Sequence, residues 1–162
     1  MNRANLITFV AILLAFIGII YHRFLLLGVS IICINSVLDF FDGYIAKKYH
    51  METSLGKKLD FINDTLSFLL LTSVLIYNHY QTSYNAMLYS VLAIYIFFGL
   101  YRLVRFTVEE KGIYFKGLPT TAAGVIIGVT LLFFYSVDII LIILILCLSI
   151  LMVSKIPVKR LY

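Results

Sequence analysis

Four aspartates in an otherwise apolar part of the chain are the residues best suited to chemistry. They are Asp39, Asp42, Asp60 and Asp64. The first two are three positions apart and the last two are four positions apart, so each pair shares one face if its segment is helical. Because a polar loop over 47–55 joins the two segments, we expect antiparallel neighbouring helices. All four carboxylates should then face one pocket at the same depth.

Ionised carboxylates in or near hydrocarbon are costly and need partners of opposite charge. No cluster of Lys or Arg stands at matching helical positions, whereas hard oxygen ligands suit Mg²⁺, Mn²⁺ or Ca²⁺. Two ions about 3.5–4 Å apart would stabilise both the attacking and the leaving oxygen of a phosphoryl transfer. We therefore expect Mg²⁺ or Mn²⁺, as two ions, with Ca²⁺ as a candidate non-productive occupant. The alternative for any single aspartate is a helix cap or a solvated interfacial side chain.

The composition indicates that membrane-spanning helices must position these residues. The 162-residue chain is 62% hydrophobic and 13% charged, with a mean hydropathy of +1.03, whereas soluble domains average about 45–50% apolar and about 25% charged residues. A soluble fold of this size could not bury so much apolar surface. An ordinary cytosolic domain and a disordered chain are therefore excluded. The net charge of +5 forms no dense basic face, which argues against nucleic-acid binding.

Six stretches approach the length of about 20 mostly apolar residues that a membrane-spanning helix needs. They lie at 5–21, 24–46, 56–78, 84–106, 119–136 and 138–155. The breaks between them are short, and no long linker or soluble domain interrupts them. The sequence thus predicts a single domain over 1–162, with an all-α fold: an integral membrane bundle of six transmembrane helices.

The distribution of Lys and Arg predicts how this bundle faces the membrane. With the amino terminus inside, twelve of the 13 basic residues fall on the inner side, and only Arg23 falls outside. Inner loops of membrane proteins carry such an excess. We therefore expect both termini to be cytoplasmic, in a multi-pass protein of the cell membrane. The four aspartates then lie at the cytoplasmic face.

The aspartates belong to a longer pattern with a fixed spacing. It reads Asp39-x-x-Asp42-Gly43-x-x-Ala46-Lys47, followed by Gly56-x-x-x-Asp60-x-x-x-Asp64. This pattern resembles the signature of the CDP-alcohol phosphatidyltransferases. One position departs from it, because the family usually has Arg where this chain has Lys47. Lys keeps the charge but loses the bidentate fork that fits a phosphate.

The resemblance implies a reaction on a CDP-linked lipid, usually CDP-diacylglycerol. An acceptor alcohol attacks the lipid-side phosphate, and CMP leaves. By matching motif positions, the four aspartates would bind the metal pair, and Asp64 would also act as general base on the acceptor hydroxyl. Relatives are commonly dimers, which implies a homodimer here.

The resemblance further implies a set of residues that bind the CDP group. The set is Asn5, Thr8, Asp42, Gly43, Ala46, Lys47, Gly56 and Asp60. Its first two members belong to the segment Asn5-Leu-Ile-Thr8, which resembles an Asn-x-x-Thr common in the family. A helix cap explains that segment almost as well.

Two arginines at the inner end of the fourth predicted span are candidates for binding the acceptor. The segments Arg102-Leu-Val-Arg105-Phe106 and Phe115-Lys-Gly-Leu-Pro119 resemble those of the phosphatidylserine synthase branch of the family. An arginine pair that faces the aspartates could bind the serine carboxylate bidentately. It could equally bind glycerol 3-phosphate or the donor diphosphate. The alternative is that both arginines mark the membrane boundary and bind lipid headgroups.

The sequence thus predicts transfer of the phosphatidyl group of CDP-diacylglycerol to L-serine, giving phosphatidylserine and CMP. Within the family, the alternative is phosphatidylglycerophosphate synthesis with glycerol 3-phosphate as the acceptor. Outside it, the alternative is a divalent-cation transporter, for which carboxylates near the bilayer midplane and repeated halves are typical. Here the aspartates lie towards the ends of two adjacent spans, and no matching set occurs in 84–155. That position suits a reaction on a lipid headgroup.

Overall fold

The computed structural model describes residues 3–49, 53–79, 85–108, 114–133, 139–154 and 157–159. The helical elements are α1 (Arg3–Ile20), α2 (Leu25–Lys48), α3 (Ser54–Asp64), a π-helical segment (Thr65–Leu70), α4 (Leu71–His79), α5 (Asn85–Val108), α6 (Thr120–Phe133) and α7 (Ile139–Val153). Two short strands are β1 (Tyr114–Lys116) and β2 (Pro157–Lys159). The π segment joins α3 and α4 into one continuous helix of 26 residues.

The helices coincide with the six predicted apolar stretches. Each predicted end that falls on a described residue lies within two residues of the observed end. The ends predicted at 84, 136, 138 and 155 lie outside the described residues. By length and composition, three helices can cross a membrane, and three shorter helices are also apolar. The long ones are Leu25–Ala46, Ser54–His79 and Ala86–Thr107, and the shorter ones are Asn5–Ile20, Thr120–Phe133 and Ile139–Val153.

The outer surface of the bundle is apolar, as contact with lipid requires. Large side chains such as Leu26, Phe97 and Ile150 are 71%, 65% and 62% exposed. Soluble proteins rarely expose contiguous apolar surface on this scale. The core is also apolar, and it is formed by α2, the π segment, α4, α5, α6 and α7. Surface and core together fit a membrane bundle.

Over the described residues, the fold is all-helical as predicted, apart from one short β-ribbon. Strand β1 pairs antiparallel with β2, with Phe115 opposite Val158. Strands of three residues are too short to show the alternation by which a strand is recognised in a sequence. The ribbon joins the segment after α5 to the segment after α7. It therefore brings together two parts of the chain that the apolar pattern leaves unrelated.

The π segment contacts both α5 and α6. Its wide turn is seen where the Leu71 N–H donates to the Leu66 carbonyl, five residues earlier. The buried Tyr95 of α5 donates its hydroxyl to the Phe68 carbonyl at 2.8 Å. From the other side, α6 approaches so closely that a Cβ at Gly124 would lie 2.9 Å from the Cβ of Phe68. Helices α5 and α6 are thus seated on the segment that directly follows Asp64.

Candidate active site

Helices α2 and α3 carry the four aspartates, and the start of α3 is fixed by a side-chain cap. Thr53 precedes the helix in an extended conformation, and its Oγ1 accepts the Gly56 N–H at 3.0 Å. This is the usual way in which a threonine satisfies an otherwise unpaired N–H at a helix start. The cap fixes where α3 begins, and Asp60 and Asp64 follow on the same helix.

The structure places the four carboxylates near one another. Asp42 is buried, with 4% of its surface exposed, and the other three are half-buried. Asp39 on α2 lies within electrostatic range of Asp60 and Asp64 on α3, and Asp42 lies within range of Asp60. We call these four residues the acidic cluster. Their mutual repulsion disfavours the cluster unless a cation or a proton neutralises part of the charge.

The donor chemistry of the acidic cluster suits a hard divalent cation. All the donors are carboxylate oxygens, which Mg²⁺ and Mn²⁺ prefer. The buried Oδ1 of Asp64 has no hydrogen-bond partner, and an unpaired buried acceptor costs about 1–3 kcal/mol. Among the described residues, however, no three His, Cys, Asp or Glu side chains converge closely enough to hold one ion. The carboxylates are therefore the right type of ligand for a divalent cation. To bind one ion together, their side chains would have to move closer to one another.

The first turns of α1 contact both aspartate-bearing helices. The hydroxyl of Thr8 donates to Oδ2 of Asp42 at 2.7 Å and lies close to Asp60. Asn5 lies one turn earlier, and its Oδ1 would be 3.1 Å from a Cβ at Gly56. Both side chains are buried, at 6% and 2% exposed. Because α1 begins at Arg3, neither residue is its N-cap, so the capping alternative is wrong.

The remaining residues of the predicted CDP-binding set lie on α2. Gly43 directly follows Asp42, and Ala46 lies one turn further on; both are half-buried. Lys47 belongs to the last turn of the same helix, and its side chain lies outside the described part of the structure. The predicted set is therefore distributed around the acidic cluster, on α1, α2 and the first turns of α3.

Arg102 reaches the acidic cluster from α5. Its Nη1 donates to Oγ1 of Thr120 at 3.2 Å, and Thr120 donates in turn to Oδ2 of Asp64 at 3.3 Å. Arg102 is only 9% exposed and attracts both Asp39 and Asp64. A buried guanidinium in this position faces the acids, which argues against the lipid-headgroup alternative for this residue.

The second predicted arginine has a contact at the end of α7. Nη1 of Arg105 donates to the Val153 carbonyl at 3.5 Å. Carbonyl groups at a helix end carry a partial negative charge, and a cation beside them is favourable. The structure therefore joins Arg102 to the acidic cluster, whereas the bond of Arg105 ties α5 to α7.

A buried polar chain next to the acidic cluster was not predicted from the sequence. Nδ2 of Asn35 donates to the Ala11 carbonyl at 3.0 Å and to Oγ of Ser67 at 2.8 Å. Ser67 donates to Oδ1 of Asn63 at 3.0 Å. Asn35 precedes Asp39 by one helical turn. The placement of three small polar residues within apolar spans was the available signal for this chain.

Thr120 was also assigned no role from the sequence. It stands at the first position of α6, where a threonine usually has a local structural explanation. Only the contact between α6 and α3 shows that its hydroxyl reaches Asp64.

Comparison with known proteins gives one family and two kinds of named relatives. The model of the CDP-alcohol phosphatidyltransferase family matches residues 1–154. The chain is 33% identical over 125 residues to the CDP-diacylglycerol–serine O-phosphatidyltransferase of Methanocaldococcus jannaschii, covering 76% of this chain and 57% of that protein. It is 34% identical over 151 residues to the Bacillus subtilis protein of the same name, covering 91% and 82%.

A shorter match is to a relative with a different acceptor in its name. The CDP-diacylglycerol–glycerol-3-phosphate 3-phosphatidyltransferase of Rickettsia bellii is 54% identical over 41 residues, which is 25% of this chain and 23% of that protein. The chain thus spans about a quarter of this relative, somewhat over half of the M. jannaschii protein and most of the B. subtilis protein. The family match covers nearly the whole chain, and the protein belongs to the CDP-alcohol phosphatidyltransferase family.

Proposed function

We propose that this protein transfers the phosphatidyl group of CDP-diacylglycerol to the hydroxyl of L-serine, giving phosphatidylserine and CMP. The observation that carries the proposal is the buried chain of contacts from Arg102 through Thr120 to Asp64. It joins a cation suited to a carboxylate with the predicted general base. The relatives that share most of this chain are named for the serine reaction, which favours serine as the acceptor.

Each residue has a definite part in this reaction. Asp64 accepts the proton of the serine hydroxyl through Oδ1, which has no hydrogen-bond partner. The serine oxygen then bonds to the lipid-side phosphorus as the bond from phosphorus to the CMP oxygen breaks. Arg102 binds the serine carboxylate, since its Nε is buried and unpaired and a guanidinium pairs well with a carboxylate.

The acidic cluster would hold the divalent cations. When bound, they would neutralise the charge of the diphosphate and acidify the attacking hydroxyl. Thr8 keeps Asp42 in place through its 2.7 Å hydrogen bond, and Asn5 leaves little room for a side chain at Gly56. With Gly43 and Ala46, these residues form the side of the site assigned to the nucleotide. The polar contacts of α1 thus serve the donor, whereas Arg102 serves the acceptor.

The membrane arrangement is part of the proposal. The three long and three shorter apolar helices form six spans, with both termini and the acidic cluster at the cytoplasmic face of the cell membrane. The excess of Lys and Arg in the inner segments supports this orientation. We also propose a homodimer, as the resemblance to the family implies.

Glycerol 3-phosphate remains the second candidate acceptor. The short match to the Rickettsia bellii protein favours it, and a buried guanidinium can bind a phosphate as well as a carboxylate. Membership of a transferase family leaves the hypothesis of a divalent-cation transporter without support.

A test of CMP release separates these acceptors. The purified protein in detergent is given CDP-diacylglycerol with Mg²⁺ or Mn²⁺, and then serine, glycerol 3-phosphate or inositol phosphate alone. We expect CMP release that requires serine and stops when EDTA is added. Release with glycerol 3-phosphate in place of serine would move the protein to phosphatidylglycerophosphate synthesis. Absence of release with all three acceptors would contradict the proposed reaction.

A further inference from the structure

The hydroxyl of Thr120 lies between the two charged side chains that the proposed reaction assigns to the acceptor. It accepts a hydrogen bond from Arg102 at 3.2 Å and donates one to Asp64 at 3.3 Å. A hydroxyl has a single proton, so its bond to the carboxylate leaves its lone pairs for the guanidinium. Thr120 is 1% exposed, and little water competes for these bonds.

The backbone before α6 holds this hydroxyl in place from the side of α7. Gly117 has a φ of +85°, in the left-handed region that favours glycine, and its missing side chain leaves room for the Met152 carbonyl. The Leu118 N–H donates to the Leu151 carbonyl at 3.0 Å. The position of Thr120 is therefore fixed by contacts with the end of α7.

The two oxygens of Asp64 are placed in different surroundings by this arrangement. Oδ2 is bonded to Thr120, and Oδ1 is buried without a partner. On the other side of Thr120, Arg102 uses Nη1 and keeps a buried, unpaired Nε. One free acceptor and one free donor thus remain on the two side chains that Thr120 connects.

We propose that Thr120 is a positioning residue that fixes Asp64 and Arg102 relative to each other. A serine whose carboxylate is bound by Arg102 then presents its hydroxyl to Oδ1 of Asp64. The inference rests on the proposed function and deepens it. A threonine that only capped α6 would need no contact with α3 or α5. The contacts of Thr120 with both helices are explained by a positioning role. Reacting groups held in a productive geometry gain a large rate advantage.

The test compares Thr120→Val with Thr120→Ser. Valine keeps the shape of threonine and removes the hydroxyl, whereas serine keeps the hydroxyl. The matched control is Thr130→Val on the same helix, because the Thr130 hydroxyl bonds to Ile126 of its own helix at 2.7 Å. For each variant, the kcat of CMP release, the KM for serine, the Tm in detergent and the Kd for CDP-diacylglycerol without serine are measured.

We expect Thr120→Val to lower kcat by roughly 10- to 100-fold. A decrease of this size corresponds to the loss of a hydrogen bond with charged groups. The Kd for CDP-diacylglycerol should stay within about twofold of wild type, because the nucleotide side of the site is unchanged. Thr120→Ser should keep most of the activity, and Thr130→Val should behave as wild type. A merely structural role would lower Tm and donor binding together with kcat.

A Thr120→Val protein with wild-type kcat, or a Thr120→Ser protein as impaired as Thr120→Val, would overturn the inference. If the valine variant does not fold, Thr120→Ala takes its place, and equal activity of the alanine and serine variants would be the overturning result. A wild-type protein that releases no CMP with any acceptor contradicts the proposed function itself, and the inference then falls with it.

Discussion

The helices before residue 80 and those after residue 84 bury different kinds of side chain. Of the eleven buried polar or charged residues described, eight lie on α1–α4 and three on α5–α7. Those of the second half are Arg102, Thr120 and Ser149, and the Ser149 hydroxyl bonds within its own helix. The first half thus carries the acids and their polar contacts. The second half is an apolar scaffold that brings one cation and one hydroxyl to them.

In the proposed function, this difference corresponds to separate donor and acceptor sides of one site. Residues of α1–α3 surround the acidic cluster and are assigned to the donor nucleotide. Arg102 and Thr120 approach the same cluster from α5 and α6 and are assigned to the acceptor. Substitutions in the first half should therefore abolish chemistry, whereas those in the second half should change acceptor use or the docking of the two halves.

The largest effect is expected at the predicted general base. Asp64→Asn keeps the size of the side chain and removes its charge. We expect kcat to fall by about 10²–10⁴-fold, the range typical of a general base, while CDP-diacylglycerol still binds. Measurement of CMP release together with donor Kd checks this. Asp138→Asn, at the outer end of the sixth predicted span, is the control and should remain active. Survival of wild-type turnover in Asp64→Asn would remove the base assignment.

A smaller effect is expected where α6 docks on the π segment. In Gly124→Ala the new Cβ would lie 2.9 Å from the Cβ and 3.1 Å from the Cα of Phe68, whereas in Gly128→Ala its nearest neighbour would be 3.5 Å away. Overpacking costs about 1–3 kcal/mol, and replacing a helical glycine by alanine returns up to about 1 kcal/mol. Thermal unfolding in detergent should show Gly124→Ala less stable than Gly128→Ala. Equal Tm values would show that the close contact is not a constraint.

The smallest effect is expected at the hydroxyl that α5 places on the same segment. Tyr95→Phe removes the 2.8 Å hydrogen bond to the Phe68 carbonyl and leaves the ring in the core. We expect a loss of about 0.5–1.5 kcal/mol in the free energy of unfolding, which is the usual net contribution of one hydrogen bond. Tyr89→Phe, at a residue 43% exposed, is the control. Denaturant or thermal unfolding that ranks the two variants equally would contradict this role.

Much of this fold could be read from the sequence, because apolar stretches of bilayer length have few alternatives to helices. The spacing of Asp39 and Asp42, and of Asp60 and Asp64, placed each pair on one helix face. The short loop between the two helices then predicted that the two pairs lie near one another. We expected all four carboxylates to meet in one metal-binding pocket, but among the described residues no three of them lie close enough to hold one ion. Spacing determines the face of a helix on which a side chain lies, and it does not determine the rotamer.

The contacts between distant segments could not be read in this way. The bond of Thr120 to Asp64 joins residues 56 positions apart, and the β-ribbon joins the segment after α5 to the segment after α7. The two arginines illustrate the same limit. They are three positions apart on one helix, yet Arg102 reaches the acids through Thr120 while Arg105 donates to a carbonyl of α7. Such differences arise from packing between helices.

The division between donor and acceptor residues is tested most directly by steady-state kinetics of Arg102→Ala with both substrates varied. We expect the KM for serine to rise by about tenfold or more, since a buried charge-assisted pair is lost, while the KM for CDP-diacylglycerol changes by less than about threefold. Arg23→Ala, at an exposed arginine on the predicted outer side of the bundle, is the control and should leave the serine KM close to wild type. An unchanged serine KM in Arg102→Ala, or an equal rise for both substrates, would contradict the account.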